Sequence, residues 1–179
     1  MENICPEYLR ITMPPMPWPH GRTITLGTGQ QEKDTLYEVS HQEPWRHRKA
    51  VEKIAYYFRR EFGYDFPPYT TNRTKEEECV FMWIGLDFDW SGNEKAVAYG
   101  ACGFLREPHE YWGLAWVWMH PYERRKGHLS MAWPYFQERF GTFLAYPPYS
   151  PEMKAFLSSK REGDPDWLRQ QLAKISTIQ

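Results

Sequence analysis

The sequence predicts a mixed α/β (α+β) fold in which a mainly antiparallel sheet is flanked by helices. Three observations lead there. Apolar runs of strand length succeed one another between Cys79 and Met119, with turn chemistry between them. A run with helical periodicity precedes them, from Pro44 to Glu61. A second helical run follows the last strand across a basic turn that contains Gly127.

Each element has its own signal. Residues 1–21 are proline-rich and read as an extended arm, with Met16 and Trp18 expected to pin it to the body. Thr23–Leu26 reads as a short strand and Leu36–Val39 as its hairpin partner. In the Pro44 helix, Val51, Ile54, Ala55, Phe58 and Phe62 recur at helical spacing, and proline favours an early helical position. Arg46, Arg48, Lys49, Lys53, Arg59 and Arg60 crowd the same helix, as a solvated face or a docking face for an acidic partner. Cys79–Leu86, Lys95–Leu105 and Trp112–Met119 are the three central strands, an antiparallel meander. Pro134 lies inside the next helix, from about Leu129 to Phe140, and implies a kink or a late start. Thr142–Tyr146 reads as a strand, Pro151–Lys160 as a helix, and the stretch from Asp164 as a last helix. Three segments result: an arm and hairpin over 1–43, a core over 44–161, and a C-terminal helix over 162–179.

Composition narrows the function classes. The 179 residues suit one domain, and aromatics at 17%, with nine Trp and twelve Tyr, supply a core. Net charge is −1 with dispersed basic residues, so direct nucleic-acid binding is not expected. Cys5, Cys79 and Cys102 form no zinc pair, and the six histidines show no H-x-x-x-H spacing, so no metal is expected. No apolar stretch reads as a signal peptide or approaches the ~20 residues of a membrane span, which points to a cytoplasmic protein without a membrane partner.

The chemistry concentrates between Trp112 and Leu129, WGLAWVWMHPYERRKGHL. Alternation marks the strand, and Pro121 stops it. Arg124, Arg125, Lys126 and Gly127 then place three cations and one permissive backbone position before a helix. Exposed N–H groups at a helix start, with positive charge beside them, make a seat for a phosphate.

This segment resembles the acyl-CoA motif of the GNAT superfamily of N-acetyltransferases, Q/R-x-x-G-x-G/A, with Arg124 at its first position and Gly127 at its second. Leu129 stands where glycine or alanine is usual. The order helix, three strands, phosphate turn, helix, strand, helix is similar to the GNAT layout over about 44–161. The resemblance implies acetyl-CoA as co-substrate, held by Arg124, Arg125, Lys126, Gly127, His128 and Leu129. In that superfamily the strand before the turn parts from the following parallel strand and frees backbone groups for the pantetheine arm. Trp118 and Met119 hold that position here, and one N–H there would polarise the thioester carbonyl. Ser150 and Tyr149 stand where a residue often meets the pantetheine or the departing thiolate. Glu110 is the leading candidate for the general base, with Asp87, Asp89 and His120 as alternatives. A narrower resemblance, Ala145–Phe156, is to the cohesin acetyltransferases, through Ala145, Pro151, Lys154 and Phe156. The aspartate that family is thought to use falls at Pro148, and its zinc-finger cysteines have no counterpart. The activity the GNAT resemblance implies is transfer of an acetyl group to an amine. The cohesin-acetyltransferase resemblance does not transfer the substrate; it is the basic helix from Arg46 to Arg60 with the aromatic loops that favours a protein over a small molecule as acceptor. A catalytically degenerate fold that binds acyl-CoA or a protein is the alternative.

Overall fold

A computed structural model describes residues 12–19, 23–26, 34–72, 78–88, 91–106 and 111–160. The helix expected over 162–179 lies outside them. Internal contacts divide the chain into two units, Met1–Phe143 and Leu144–Gln179.

The first unit carries β1 (Pro15–Met16), β2 (Thr23–Leu26), β3 (Asp34–Val39), α1 (Trp45–Phe62), β4 (Glu78–Phe88), β5 (Glu94–Arg106), β6 (Trp112–Met119), a 3-10 turn (Pro121–Glu123) and α2 (His128–Phe140). Its strands run in the order β2-β3-β4-β5-β6, each antiparallel to the next. The expected meander and the β2–β3 hairpin are both present. The arm adds β1 to β5, pairing Pro15 with Val97 and Met16 with Ala96. That stretch of β5 is open to it because β6 reaches only Gly100. Tyr57 Oη donates to the Thr12 carbonyl at 3.1 Å, and His47 Nε2 meets the Pro17 carbonyl at 2.9 Å. Met16 is buried as expected, but Trp18 is 42% exposed and is not an anchor. Backbone pairing and polar contacts hold the arm instead.

Two cores form, one on each face of the sheet. On one face Ala50, Val51, Ile54 and Ala55 of α1 pack on Val80, Met82, Ile84, Ala98, Trp116 and Trp118. On the other, Phe81 and Phe104 meet Phe136 and Phe140 of α2 with ring centroids 4.4–6.1 Å apart. Such ring clusters add to area burial through their edge and offset contacts. Gly103 permits the close approach of Trp116, whose indole nitrogen occupies the place a side chain there would take.

Irregularities in the ladder matter more for the site than its regular parts. The register shifts between Trp83 and Ile84, which pair with Gly100 and Ala98, so Tyr99 has no opposite number. A bulge of this kind re-aims a side chain. Tyr99 Oη accordingly reaches the Asp34 carboxylate at the start of β3, at 3.1 Å.

Helix α1 follows Pro44 and ends at Gly63, whose φ of 71° is the left-handed cap conformation that glycine adopts at little cost. Its cations are partly used locally: Arg48 donates to the carbonyls of Glu43 and Thr71, and Arg59 to that of Tyr64. Helix α2 begins one residue before Leu129 and runs through Pro134, so proline does not delay its start. The second unit holds a two-residue strand, β7 (Leu144–Ala145), and α3 (Pro151–Ser159). Ser150 caps α3 by accepting from the Met153 N–H at 3.1 Å, and Pro151 takes the first helical position.

Glu52 supplies a test of the α1 packing. It is buried, accepts from the Thr71 N–H and hydroxyl at 3.0 and 3.2 Å, and pairs with Lys49. Burial alone would raise its carboxyl pKa, but those hydrogen bonds and Lys49 outweigh burial and hold it below the ordinary value. The resulting stability is present above the unfolded pKa, about 4.3, and is lost as pH falls through the lowered folded value. Glu52→Gln should flatten the acid side of the stability profile, read from urea unfolding midpoints across that range. An unchanged acid slope would contradict this role.

Candidate functional site

The register at the end of β6 sorts its backbone groups. His120 N–H donates to the Tyr99 carbonyl at 2.7 Å, while Trp118 pairs with Ala101 and Met119 with Gly100. Hydrogen-bonded pairs alternate in an antiparallel ladder. Trp118 therefore turns its backbone groups toward β5, and Met119 turns its own away from it. The Met119 carbonyl is taken by Arg124 Nε at 2.9 Å. Of the two positions named from the sequence, Met119 is the one whose N–H faces outward from the ladder.

The turn that follows is clamped at its entrance by Arg124. Its guanidinium makes a two-pronged pair with Glu61, at 2.8 Å to Oε1 and 2.6 Å to Oε2, and lies 5.6 Å over the Trp118 ring. Trp118 Nε1 donates to the same carboxylate at 2.8 Å. Fork-to-carboxylate geometry makes this a strong class of ion pair. Arg124 thus serves the architecture of the turn, and three of its five donors are committed within the chain.

The other cations divide. Lys126 holds Glu123, at 2.9 and 3.0 Å to the two oxygens. Arg125 is exposed and has no ion-pair partner among the described residues. Its φ of 64° is a strained left-handed conformation for a residue with a side chain. Gly127, with φ 87°, takes the same region without that cost, and a Cβ there would meet open space. Helix α2 has no side-chain cap at Gly127, and its first intrahelical bond runs from Met131 N–H to the Gly127 carbonyl. The N–H groups of His128, Leu129 and Ser130 are thereby left at the helix mouth without an intrahelical acceptor.

His128 closes the turn from below. Its Nδ1 lies 2.6 Å from Asp34 Oδ2 and its Nε2 3.2 Å from Glu123 Oε2. The imidazole is buried, with the Tyr99 ring 5.0 Å away. Burial by itself would lower its pKa; the two carboxylates outweigh that and raise it.

The remaining candidates are dispersed. Glu110 and Asp89 lie outside the described residues. Asp87 sits at the exposed end of β4, 3.4 Å from Lys95. His120 is buried, and its Nδ1 accepts from the Tyr122 N–H at 3.3 Å. In the second unit Tyr149 donates to the Ala145 carbonyl at 2.7 Å, and burial raises its hydroxyl pKa. Ser150 is the α3 cap. Glu61, Asp34, Tyr99 and Glu123 have no site role in the sequence reading. One signal pointed to Glu61: it and Glu52 are the only acids in α1, inside a run of cations.

No family model and no curated protein matches the chain. Solved structures do. The acetyltransferase domain of xEco2, a cohesin acetyltransferase, aligns with a TM-score of 0.51 at 13% identity, over 79% of this chain and 92% of that one. The same domain bound to a K105-CoA conjugate gives 0.47 at 17% identity, over 70% and 86%. A ribosomal-protein-alanine N-acetyltransferase from Brucella melitensis biovar Abortus 2308 gives 0.40 at 14% identity, over 70% and 88%. The chain has the fold of the GNAT acetyltransferases.

The Arg124–Glu61 pair can be tested by itself. Arg124→Ala and Glu61→Ala should each cost about 1–3 kcal/mol of unfolding free energy, because each leaves a half-buried charge without its partner. The double variant should cost clearly less than the sum, a coupling visible in a double-mutant cycle by denaturant unfolding. Strict additivity would show that the two side chains do not act together.

Proposed function

We propose that the chain is an acetyl-CoA-dependent N-acetyltransferase whose phosphate seat is the turn from Arg124 to Leu129. The uncapped mouth of α2, presented beside the left-handed Arg125 and Gly127, carries this reading. Backbone N–H groups of Gly127, His128 and Leu129 would take the pyrophosphate oxygens, and the dipole of α2 favours their charge. Arg125 would supply the mobile cation and Lys126 a second, while Arg124 holds the frame on Glu61. The Met119 N–H would polarise the thioester carbonyl as negative charge develops on its oxygen. Trp118 would contribute through its ring, which supports Arg124.

In the reaction an uncharged amine attacks the thioester carbon, a C–N bond forms, and the C–S bond breaks. The amine loses a proton to a base, for which Glu110 is proposed. The sulfur leaves as thiolate and takes a proton, for which Tyr149 is proposed, with Ser150 assigned to the pantetheine. The acceptor we favour is a lysine or N-terminus of a protein. The aromatic and basic exposed residues of α1, among them Trp45, Arg46, Tyr56 and Arg60, offer more surface than a small amine needs.

A second reading has its own support. Pro148 replaces the aspartate of the cohesin acetyltransferases, and the Tyr149 hydroxyl is engaged with a backbone carbonyl. A protein that binds acyl-CoA without turnover fits both facts.

Isothermal titration with CoA should show binding, and Gly127→Trp should abolish it by filling the open space at the turn. Unchanged affinity in a folded Gly127→Trp protein would refute the seat. Incubation of a cell extract with the protein and isotopically labelled acetyl-CoA should label one or a few proteins, read by mass spectrometry. Label confined to small amines would defeat the protein acceptor, and binding without any label would establish the degenerate reading.

A further inference from the structure

The two ends of the phosphate turn are held by different kinds of cation. At one end stands a guanidinium, a fixed cation in proteins. His128 holds its second proton conditionally. We propose that His128 is a positioning residue for the phosphate seat: with both ring nitrogens protonated it ties the turn to the start of β3, and loss of one proton as pH rises loosens the turn and weakens CoA binding. The inference rests on the CoA reading of the turn and adds to it a proton-dependent control.

The geometry requires two protons. Nδ1 faces Asp34 Oδ2 at 2.6 Å and Nε2 faces Glu123 Oε2 at 3.2 Å. Ionised carboxylates only accept, so both contacts hold only when both nitrogens donate. A neutral ring would set a lone pair against one carboxylate. The surrounding groups are fixed on other elements. Asp34 on β3 also accepts from Tyr99 of β5, and Glu123 in the 3-10 turn is shared with Lys126. With His128 protonated, two carboxylates face two cations. Without that proton a net negative charge remains beside a seat meant for an anion, and the repulsion falls on the turn.

Position makes this local network consequential. His128 is the first residue of α2 and directly follows Gly127, so a change in its contacts moves the N–H groups that form the seat. Asp34 lies 94 residues away in sequence, which makes the contact a bridge from the turn to the far side of β4 and β5. The raised imidazole pKa gives the sign. The bridge is complete below the unfolded value of about 6.5 and is lost as pH rises through the folded value.

The test uses the full chain and CoA. Titration calorimetry from about pH 6 to about pH 9.5 spans the range in which a histidine raised above its ordinary pKa titrates. Wild-type affinity should hold at the acid end and then fall, by at most about tenfold per pH unit, the limit for one proton. His128→Gln should bind more weakly at the acid end and lack that step. Because CoA itself titrates, the difference between the two profiles is the readout. Asp34→Asn should remove the step in the same way if His128→Gln folds poorly. NMR of the histidine ring protons in the unliganded protein should show His128 titrating above its ordinary value. Superposable profiles, or a His128 ring that titrates at or below that value, would overturn the inference while leaving the CoA reading in place. Absence of CoA binding at every pH, with His128 titrating high, would overturn the CoA reading and this inference with it.

Discussion

The Arg124–Glu61 pair is the contact on which the arrangement of the candidate site depends. It joins three elements that are distant in sequence: the last turn of α1, the end of β6 and the turn into α2. One guanidinium satisfies a carboxylate with two donors, takes a backbone carbonyl with a third, and lies over an indole that bonds to the same carboxylate. A planar group with five donors in fixed directions can do this; an ammonium cannot. The first cation of the turn therefore acts mainly as a fixture of the fold. The groups left open at the turn are the backbone N–H groups at the start of α2 and the exposed side chain of Arg125.

A sheet with one helix-covered core on each face supplies the rigid base for that turn. The faces differ in character. The α1 face mixes small aliphatics with two tryptophans, whereas the α2 face is dominated by phenylalanine rings. The ladder is interrupted where it serves the site. The bulge at Tyr99 gives its hydroxyl to Asp34, and Asp34 holds the first residue of α2. A regular ladder would have kept Tyr99 in the alternation of its strand and left Asp34 with one partner fewer. Tyr99 thereby couples strand register to turn geometry.

The charge pattern of α1 shows how an apparently plain sequence feature divides in space. Its cations are not one surface. Arg48 and Arg59 stitch loops to the helix through backbone carbonyls, while Arg46 and Arg60 remain exposed. Its two acids, Glu52 and Glu61, are both turned inward, one to Thr71 and one to Arg124. Scarce acids among many bases are selected for contacts, because an unpaired half-buried carboxylate is costly.

Much of the fold was legible in the residue order. Alternation marked β6, helical spacing marked α1, glycine and proline marked most of the boundaries, and the R-x-x-G segment marked the turn between β6 and α2. These signals are local, and backbone sterics and side-chain periodicity express them within a few residues. The partners of the turn were not legible. Glu61 lies 63 residues from Arg124, and Asp34 lies 94 from His128. Neither distance leaves a trace in spacing or composition. The choice between Trp118 and Met119 also needed the register, since one residue of shift reverses which backbone groups face outward. The sequence by itself determined the class of sheet, the order of its elements and the place of the turn. Tertiary structure alone decided which of its charges are spent inside the chain and which stay exposed, because that depends on groups brought together only when the strands pair.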